Sequence, residues 1–121
     1  MTVRIYGIKN CDTMQNAFKW LGARGVAYDF HDYKKAAVTA AELTRWCNAV
    51  GWQTVLNRAG TTFRKLPDAA KGDLTPDKAI ALMVAQPSMI KRPVLDVDGK
   101  LEIGFKPERY TALFGLGATA Q

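Results

Sequence analysis

The chain passes from an apolar strand into a helix within a few residues of its start, and this junction limits the folds that it can adopt. The strand pattern is Val3–Tyr6, the link is Gly7–Asn10, and the helical pattern begins at Cys11. A thiol at that point faces the unpaired amides and the positive end of the helix dipole, which favour an anion. Lys9 adds positive charge, and such surroundings lower the pKa of a cysteine. Cys11 is therefore a candidate nucleophile, although many free cysteines are buried and inert.

Length and composition predict one compact domain. The chain has 121 residues, of which 48% are hydrophobic, enough for one core and too few for two ordinary domains. No apolar run approaches the ~18 residues of a membrane span, and no signal-peptide pattern follows Met1, so we expect a cytoplasmic protein with no membrane partner. The net charge of +6 favours acidic partners, but the densest basic groups are pairs, Lys34-Lys35 and Lys91-Arg92, so nucleic acid is not an expected partner.

The two cysteines do not form a metal or disulfide motif. Neither belongs to a Cys-x-x-Cys pair, and two are too few for a disulfide scaffold. Cys11 is therefore interpreted as a monothiol. Cys47 lies in an apolar helical stripe with Leu43 and Trp46, which predicts a core position. His31 is the single histidine, it has no evident ligand partner, and a structural role is expected. The sequence predicts no metal site.

The predicted elements follow the order β-α-β, a helical region, then β-β-α. They are a helix from Cys11 to about Arg24 stopped by Gly25, a strand over Val26–Tyr33, a helix capped by Thr39 and Glu42 and ended by Gly51, a short helix over Thr61–Leu66, a helix from Pro76 to about Gln86, strands Val94–Val97 and Lys100–Ile103 joined by Asp98-Gly99, and a final helix opened by Pro107. This order predicts an α/β, thioredoxin-like fold with a mixed four-stranded sheet and a helical insert at about residues 38–88. Residues 115–121 are expected to form a loose tail.

Two groups of apolar side chains are predicted to pack in the core. The helix that begins at Pro76 should bury Ile80, Met83 and Val84. The tryptophans lie within apolar faces and are assigned to packing rather than to binding: Trp20, Trp46 and Trp52.

Three segments together resemble the arsenate reductase family of thioredoxin-fold proteins. They are Ile5–Thr13, Leu56–Arg58 and Lys91–Val94. The resemblance covers about residues 1–114, which supports a single domain, and the YffB-like branch is the closest match. The family also contains Spx-type regulators, which bind RNA polymerase.

The resemblance implies roles for individual residues. In the glutathione-coupled reductases of the family, a cysteine attacks an oxyanion, arginines bind its charge and glutathione resolves the adduct. Cys11, Arg58 and Arg92 match these catalytic positions, and a guanidinium fork suits both an anion and a thiolate. Pro93 matches the cis-proline of thioredoxin-like folds, so we predict a cis bond whose exposed backbone edge holds the peptide part of glutathione. The remaining residues assigned to substrate or glutathione binding are Lys9, Asn10, Asp12, Thr13 and Lys106.

The chain departs from arsenate reductases at three positions. Those enzymes often have histidine four residues before the cysteine and arginine four residues after it, where this chain has Gly7 and Gln15. Lys106 stands where a third arginine is expected, and lysine lacks the bidentate fork. Arsenate therefore ranks below an organic disulfide or a glutathione mixed disulfide as the expected substrate.

Three functions remain as hypotheses. The leading one is a glutathione-dependent monothiol reductase with a Cys11 thiolate, glutathione as co-substrate and neither metal nor nucleotide. The first alternative is a non-enzymatic, Spx-like regulator that binds the RNA polymerase α subunit. Such regulators typically carry Cys-x-x-Cys, whereas Met14 occupies the second cysteine position here. The other alternative is an arsenate reductase.

Overall fold

One mixed sheet of four strands organises the fold. Its strands are β1 (Val3–Gly7), β2 (Asp29–Asp32), β3 (Val94–Val97) and β4 (Lys100–Ile103). The computed structural model describes residues 2–115, and its strand order is β2-β1-β3-β4. β1 is parallel to β2 and antiparallel to β3, and β3 is antiparallel to β4. The predicted thioredoxin-like α/β fold with a mixed four-stranded sheet is confirmed.

Helices separate β1 from β2 and β2 from β3, and one helix follows β4. Within residues 2–115 they are α1 (Asp12–Ala23), α2 (Ala40–Val50), α3 (Trp52–Val55), α4 (Thr61–Arg64), α5 (Asp68–Lys71), α6 (Pro76–Ala85) and α7 (Pro107–Leu113), with a 3-10 turn at Pro87–Met89.

The described chain divides into two compact units. The sheet unit contains residues 2–35 and 92–115, and the helical unit contains Ala36–Lys91. The helical unit coincides with the predicted insert and is slightly wider than its expected bounds, 38–88. The assignment of both units to a single domain stays a prediction. Of the predicted loose tail, Gly115 is described, and residues 116–121 lie outside the described residues.

The core of the sheet unit lies between the sheet and the helices α1 and α7. Alternation along β1 buries Val3 and Ile5, because successive side chains of a strand point to opposite faces. The buried cluster consists of Val3, Ile5, Met14, Ala17, Trp20, Leu21, Leu95, Val97 and Tyr110. β1 and α1 are thereby fixed to each other immediately before and after the Cys11 junction.

A second core lies in the helical unit. α2 buries Leu43, Trp46 and Cys47, and α6 buries Ala79 and Met83. The chain segments on either side of Leu56 and Ile90 pair through an antiparallel bridge. The amide of Asn57 donates to the Met89 carbonyl (2.7 Å), and the amide of Lys91 donates to the Val55 carbonyl (2.8 Å).

Local signals in the sequence are confirmed at several element ends. Thr39 and Glu42 form a reciprocal capping box at the start of α2, and Gly51 follows that helix with φ +89°. In the turn between β3 and β4, Asp98 has φ 53° and Gly99 has φ 91°. Two successive positive φ values are typical of a type I′ hairpin, as the Asp-Gly pair predicts.

Two details of the predicted elements are wrong. β2 begins at Asp29 rather than Val26, because the Val26 amide donates back to the Leu21 carbonyl at the end of α1 (3.0 Å) and is unavailable to the sheet. Of the three α6 residues predicted to be buried, Met83 is fully buried, Ile80 is only half-buried and Val84 is 39% exposed, whereas Ala79 is fully buried. The buried face of α6 is therefore rotated away from Val84, along the i, i+4 row through residues 79 and 83.

Candidate active site

Cys11 lies at the boundary between the loop after β1 and the first turn of α1. It is the N-cap residue of α1, with φ −146° and ψ 131°, and its side chain is partly buried. Apolar packing of Cys11 against the core of the sheet unit holds the residue in place. The thiol therefore stands at the amide end of a twelve-residue helix, as the sequence predicts.

Several groups act on the Cys11 thiol in opposite directions. Burial raises its pKa, but the Met14 amide, the Arg92 side chain and the Thr13 amide all favour the thiolate, and the Arg92 charge adds to them. Together they hold the pKa of Cys11 below its ordinary value. The structure thus brings together two of the predicted catalytic residues, Cys11 and Arg92.

Arg92 immediately precedes β3, and its peptide bond to Pro93 is cis, as predicted. Arg92 is half-buried and Pro93 is buried. The Pro93 carbonyl accepts a hydrogen bond from the Gly104 amide after β4 (2.8 Å). That bond ties the Arg92 segment to the hairpin, while the expected role of the Pro93 backbone edge in holding glutathione stays a prediction.

Gln15 ties the loop before Cys11 to the helix after it. Its side-chain amide donates to the Lys9 carbonyl (2.8 Å), and its backbone amide donates to the Cys11 carbonyl (2.9 Å). The side chain that replaces the expected arginine therefore bridges six residues and closes the loop around the thiol. Sequence reasoning treated Gln15 only as a missing arginine and did not identify this role.

Replacing Gln15 with glutamate should loosen this loop, because a carboxylate cannot donate to the Lys9 carbonyl. We expect stability to fall by about 1 kcal/mol in urea unfolding, the typical net value of one hydrogen bond. Asn16→Asp is the matched control, since Asn16 is the exposed neighbour on α1 and the change adds the same charge. Equal losses of stability in both variants would contradict a specific tether at Gln15.

Arg58 belongs to the helical unit and follows the Asn57–Met89 backbone pair. It is exposed, and its guanidinium carbon lies 5.6 Å from the centroid of the Trp52 ring, which is half-buried. Assigning Trp52 to packing alone was therefore incomplete, because its ring also supports a cation. The catalytic role of Arg58 stays a prediction.

The other predicted binding residues are all exposed: Lys9, Asn10, Asp12, Thr13 and Lys106. Lys106 is the N-cap of α7, and its carbonyl accepts from the amides of Arg109 and Tyr110 (3.0 Å each). Thr13 acts on the Cys11 sulfur through its amide. The substrate contacts of these residues stay predictions.

The second thiol differs from the first in its surroundings. Cys47 is 8% exposed within the core of the helical unit, and burial raises its pKa. This confirms the predicted core position, and a neutral buried thiol is a poor nucleophile. Both cysteines are free thiols in the structure.

Comparison with known proteins identifies the family. The model of the ArsC family matches residues 6–113. This chain belongs to the ArsC family. The matched segment begins at Tyr6 and includes the Cys11 junction, the helical unit and the Arg92-Pro93 bond.

Solved structures and a curated relative support the assignment. A solved protein named YFFB is 61% identical, covers 92% of this chain and 97% of its own, and has a TM-score of 0.90. An arsenate reductase (ArsC) related protein from Brucella melitensis is 56% identical over 94% of this chain and 95% of its own, with a TM-score of 0.75. An uncharacterized protein from Haemophilus influenzae is 37% identical over 93% of this chain and 98% of its own length.

A more distant relative carries a regulatory name. The global transcriptional regulator Spx from Streptococcus mutans is 22% identical over 91% of this chain and 81% of its own length.

Among residues 2–115, no helix is both long and apolar enough to cross a membrane.

Proposed function

We propose that this ArsC-family protein is a cytoplasmic, glutathione-dependent monothiol reductase whose nucleophile is the Cys11 thiolate. The observation that carries the proposal is the convergence of the Arg92 side chain and two helix amides on the Cys11 sulfur. Such surroundings distinguish reactive cysteines from structural ones. The family and its arsenate reductase-related members support a thiol oxidoreductase.

The proposed reaction is a pair of thiol-disulfide exchanges. The Cys11 thiolate attacks the glutathione sulfur of a mixed disulfide, forms a Cys11–glutathione disulfide and releases the substrate thiolate, which takes up a proton. A second glutathione, as thiolate, attacks the glutathione sulfur of that adduct. This exchange regenerates the Cys11 thiolate and releases glutathione disulfide, so one free glutathione is oxidised for each substrate thiol released, and the other glutathione of the product comes from the mixed disulfide. Each exchange needs only a thiolate and an accessible disulfide.

Several basic side chains of this protein suit a substrate that carries carboxylates, as glutathione does. In this proposal Arg92 stabilises the thiolate, and Arg58, Lys9 and Lys106 bind negative charge on the substrate. Asn10, Asp12 and Thr13 contribute polar groups to substrate binding, and the backbone edge at the Arg92-Pro93 cis bond holds the peptide part of glutathione. The reaction requires no metal and no nucleotide.

Two replacements favour a disulfide over arsenate as the substrate. At Gly7, the space for a side chain is filled by Met14, so no imidazole faces Cys11 from this position. At Gln15, the side chain donates to the Lys9 carbonyl and supplies no guanidinium. Arsenate reduction is therefore the weaker alternative for the same nucleophile.

A glutathionylated test protein should transfer its glutathione to Cys11 and to no other residue. The adduct is measured by intact and peptide mass spectrometry, before and after free glutathione is added. We expect the adduct to form, to disappear with added glutathione, and to be absent in Cys11→Ser, because serine provides no thiolate. Arsenate with glutathione is assayed in parallel.

Cys47→Ser is the matched control, since it removes the other thiol. We expect it to retain the full cycle, provided that it folds, because Cys47 is buried away from solvent. Loss of turnover in Cys47→Ser with an intact Cys11 adduct would contradict the monothiol mechanism, since it would make Cys47 the resolving thiol.

A second candidate is a non-enzymatic regulator that binds the α subunit of RNA polymerase. The relative named Spx, aligned over most of both chains, favours it. The position three residues after Cys11 holds Met14 rather than a second cysteine, which weakens a disulfide switch. Stoichiometric binding to the isolated carboxyl-terminal domain of the polymerase α chain, together with no glutathione turnover, would favour this candidate.

A further inference from the structure

Met14 and Gly7 share one space beneath the Cys11 junction. Met14 lies in the first turn of α1 and is fully buried. A Cβ atom added to Gly7 would overlap the Met14 Sδ and would lie 2.7 Å from its Cε. The φ of Gly7 is not positive, so close packing, not backbone conformation, excludes a side chain at this position.

Arg92 borders the same space. The added Cβ at Gly7 would also lie 3.4 Å from the Cβ of Arg92. The Met14 thioether and the stem of Arg92 are therefore neighbours at the end of β1. Both residues also interact with the Cys11 sulfur, Met14 through its backbone amide and Arg92 through the end of its side chain.

We propose that Met14 is a positioning residue, whose buried side chain seats the first turn of α1 and the Arg92 stem on Gly7 so that both reach the Cys11 sulfur. The proposal rests on the proposed role of Cys11 as nucleophile. Methionine suits this role because it is flexible, polarizable and able to fill an irregular gap. Its truncation leaves a cavity into which neighbouring groups can shift.

A positioning role and simple core packing predict different results when Met14 is truncated. If Met14 only fills the core, its truncation lowers stability and leaves the folded Cys11 site unchanged. If Met14 positions the site, its truncation also shifts the pH at which Cys11 becomes reactive. Leu21→Ala is the matched control, because Leu21 is also a fully buried residue of α1 but lies almost three turns beyond Cys11.

The test measures the rate of Cys11 alkylation by iodoacetamide against pH, with each cysteine quantified in its own peptide. Met14→Ala should raise the midpoint by about half a pH unit or more, whereas Met14→Leu and Leu21→Ala should stay near the wild-type midpoint. Circular dichroism confirms that every variant is folded at the assay temperature. Should Met14→Ala fail to fold, Met14→Val gives the same reading with a smaller cavity.

A double variant tests the shared space directly. Gly7→Ala should raise the midpoint by itself, because its methyl group displaces Met14. Gly7→Ala with Met14→Ala should return toward the wild-type midpoint, since the smaller residue makes room for the new methyl group. A wild-type midpoint in folded Met14→Ala, or an equal shift in Leu21→Ala, overturns the positioning role. An ordinary midpoint in the wild-type protein would instead overturn the proposed function.

Discussion

Replacing Arg92 with alanine should raise the pH midpoint of Cys11 alkylation by about one unit, which means roughly tenfold less thiolate near neutral pH. The reason is that Arg92 favours the thiolate in two ways, through a hydrogen bond and through its charge. Without Arg92, burial, which raises the pKa, is opposed only by the amides of Met14 and Thr13. The remaining pKa should therefore lie much closer to that of an ordinary thiol.

The alkylation rate itself should change in opposite directions at the two ends of the pH range. Near neutral pH, Arg92→Ala should react more slowly because less thiolate is present. At high pH it should react slightly faster, because a thiolate of higher pKa is the stronger nucleophile. A full pH profile is therefore the required measurement, and iodoacetamide with peptide mass spectrometry provides it for each cysteine.

Three controls accompany this profile. Arg92→Lys keeps the charge and loses the planar fork, so its midpoint should fall between those of the wild type and Arg92→Ala. Arg109→Ala removes an exposed arginine that pairs with Glu102, and its midpoint should match the wild type. Cys47, read in the same digests, should remain unreactive. An unchanged midpoint in Arg92→Ala would show that the helix amides alone activate Cys11.

Element ends were predictable where short-range interactions determine them. The Thr39–Glu42 capping box and the Asp98-Gly99 turn each depend on residues within a few positions of one another. The order of the elements then constrains the sheet, since one parallel β-α-β unit and one hairpin leave few arrangements of four strands. For this reason the mixed sheet could be predicted although its strands are short.

Features that depend on tertiary packing were not predictable. The short helices α3 and α5, of four residues each, were not among the predicted elements. The exposure of Val84 depends on how α6 is rotated within the helical unit. The contact between the Arg58 guanidinium and the Trp52 ring was not predictable either, because neither residue alone indicates it.

The candidate site shows the same division. The position of Cys11 followed from the strand-to-helix junction, and Arg92 followed from family resemblance. The supporting roles of two further side chains, Met14 and Gln15, were not identified from the sequence. Their roles depend on distances between a side chain and a strand end or loop carbonyl, and no spacing in the sequence encodes those distances.

The Tyr110 hydroxyl is buried without a hydrogen-bond partner among residues 2–115. Its ring packs edge-on against Trp20 (5.4 Å between centroids) and Phe105 (4.8 Å). Leaving a hydroxyl unpaired in an apolar site costs about 1–3 kcal/mol. Tyr110→Phe keeps the ring contacts and removes that cost, so urea unfolding at pH 7 should show it to be about 1–2 kcal/mol more stable than the wild type.

The gain from Tyr110→Phe should increase at alkaline pH. Burial, with a smaller contribution from the Glu102 charge, raises the pKa of Tyr110 far above its ordinary value of about 10. Above pH ~10 the unfolded chain loses the phenol proton of Tyr110 while the folded protein keeps it. Unfolding therefore becomes more favourable by about 1.4 kcal/mol per pH unit. Below pH ~10 the effect of Tyr110 on stability is therefore constant, and above pH ~10 the wild-type protein loses stability as the pH rises.

Tyr110→Phe lacks this proton, so unfolding curves at pH 7 and at pH 11 should separate it from the wild type by about 1 kcal/mol more at the higher pH. Tyr28→Phe is the matched control, because Tyr28 is a partly buried ring of the same unit, stacked on Phe18. A Tyr110→Phe protein that is less stable than the wild type at pH 7 would mean that the hydroxyl is satisfied in solution. An equal separation at both pH values would mean that Tyr110 ionises in the folded protein. Either result would place a polar group or water beside the Tyr110 hydroxyl, between the helices that flank the Cys11 sheet.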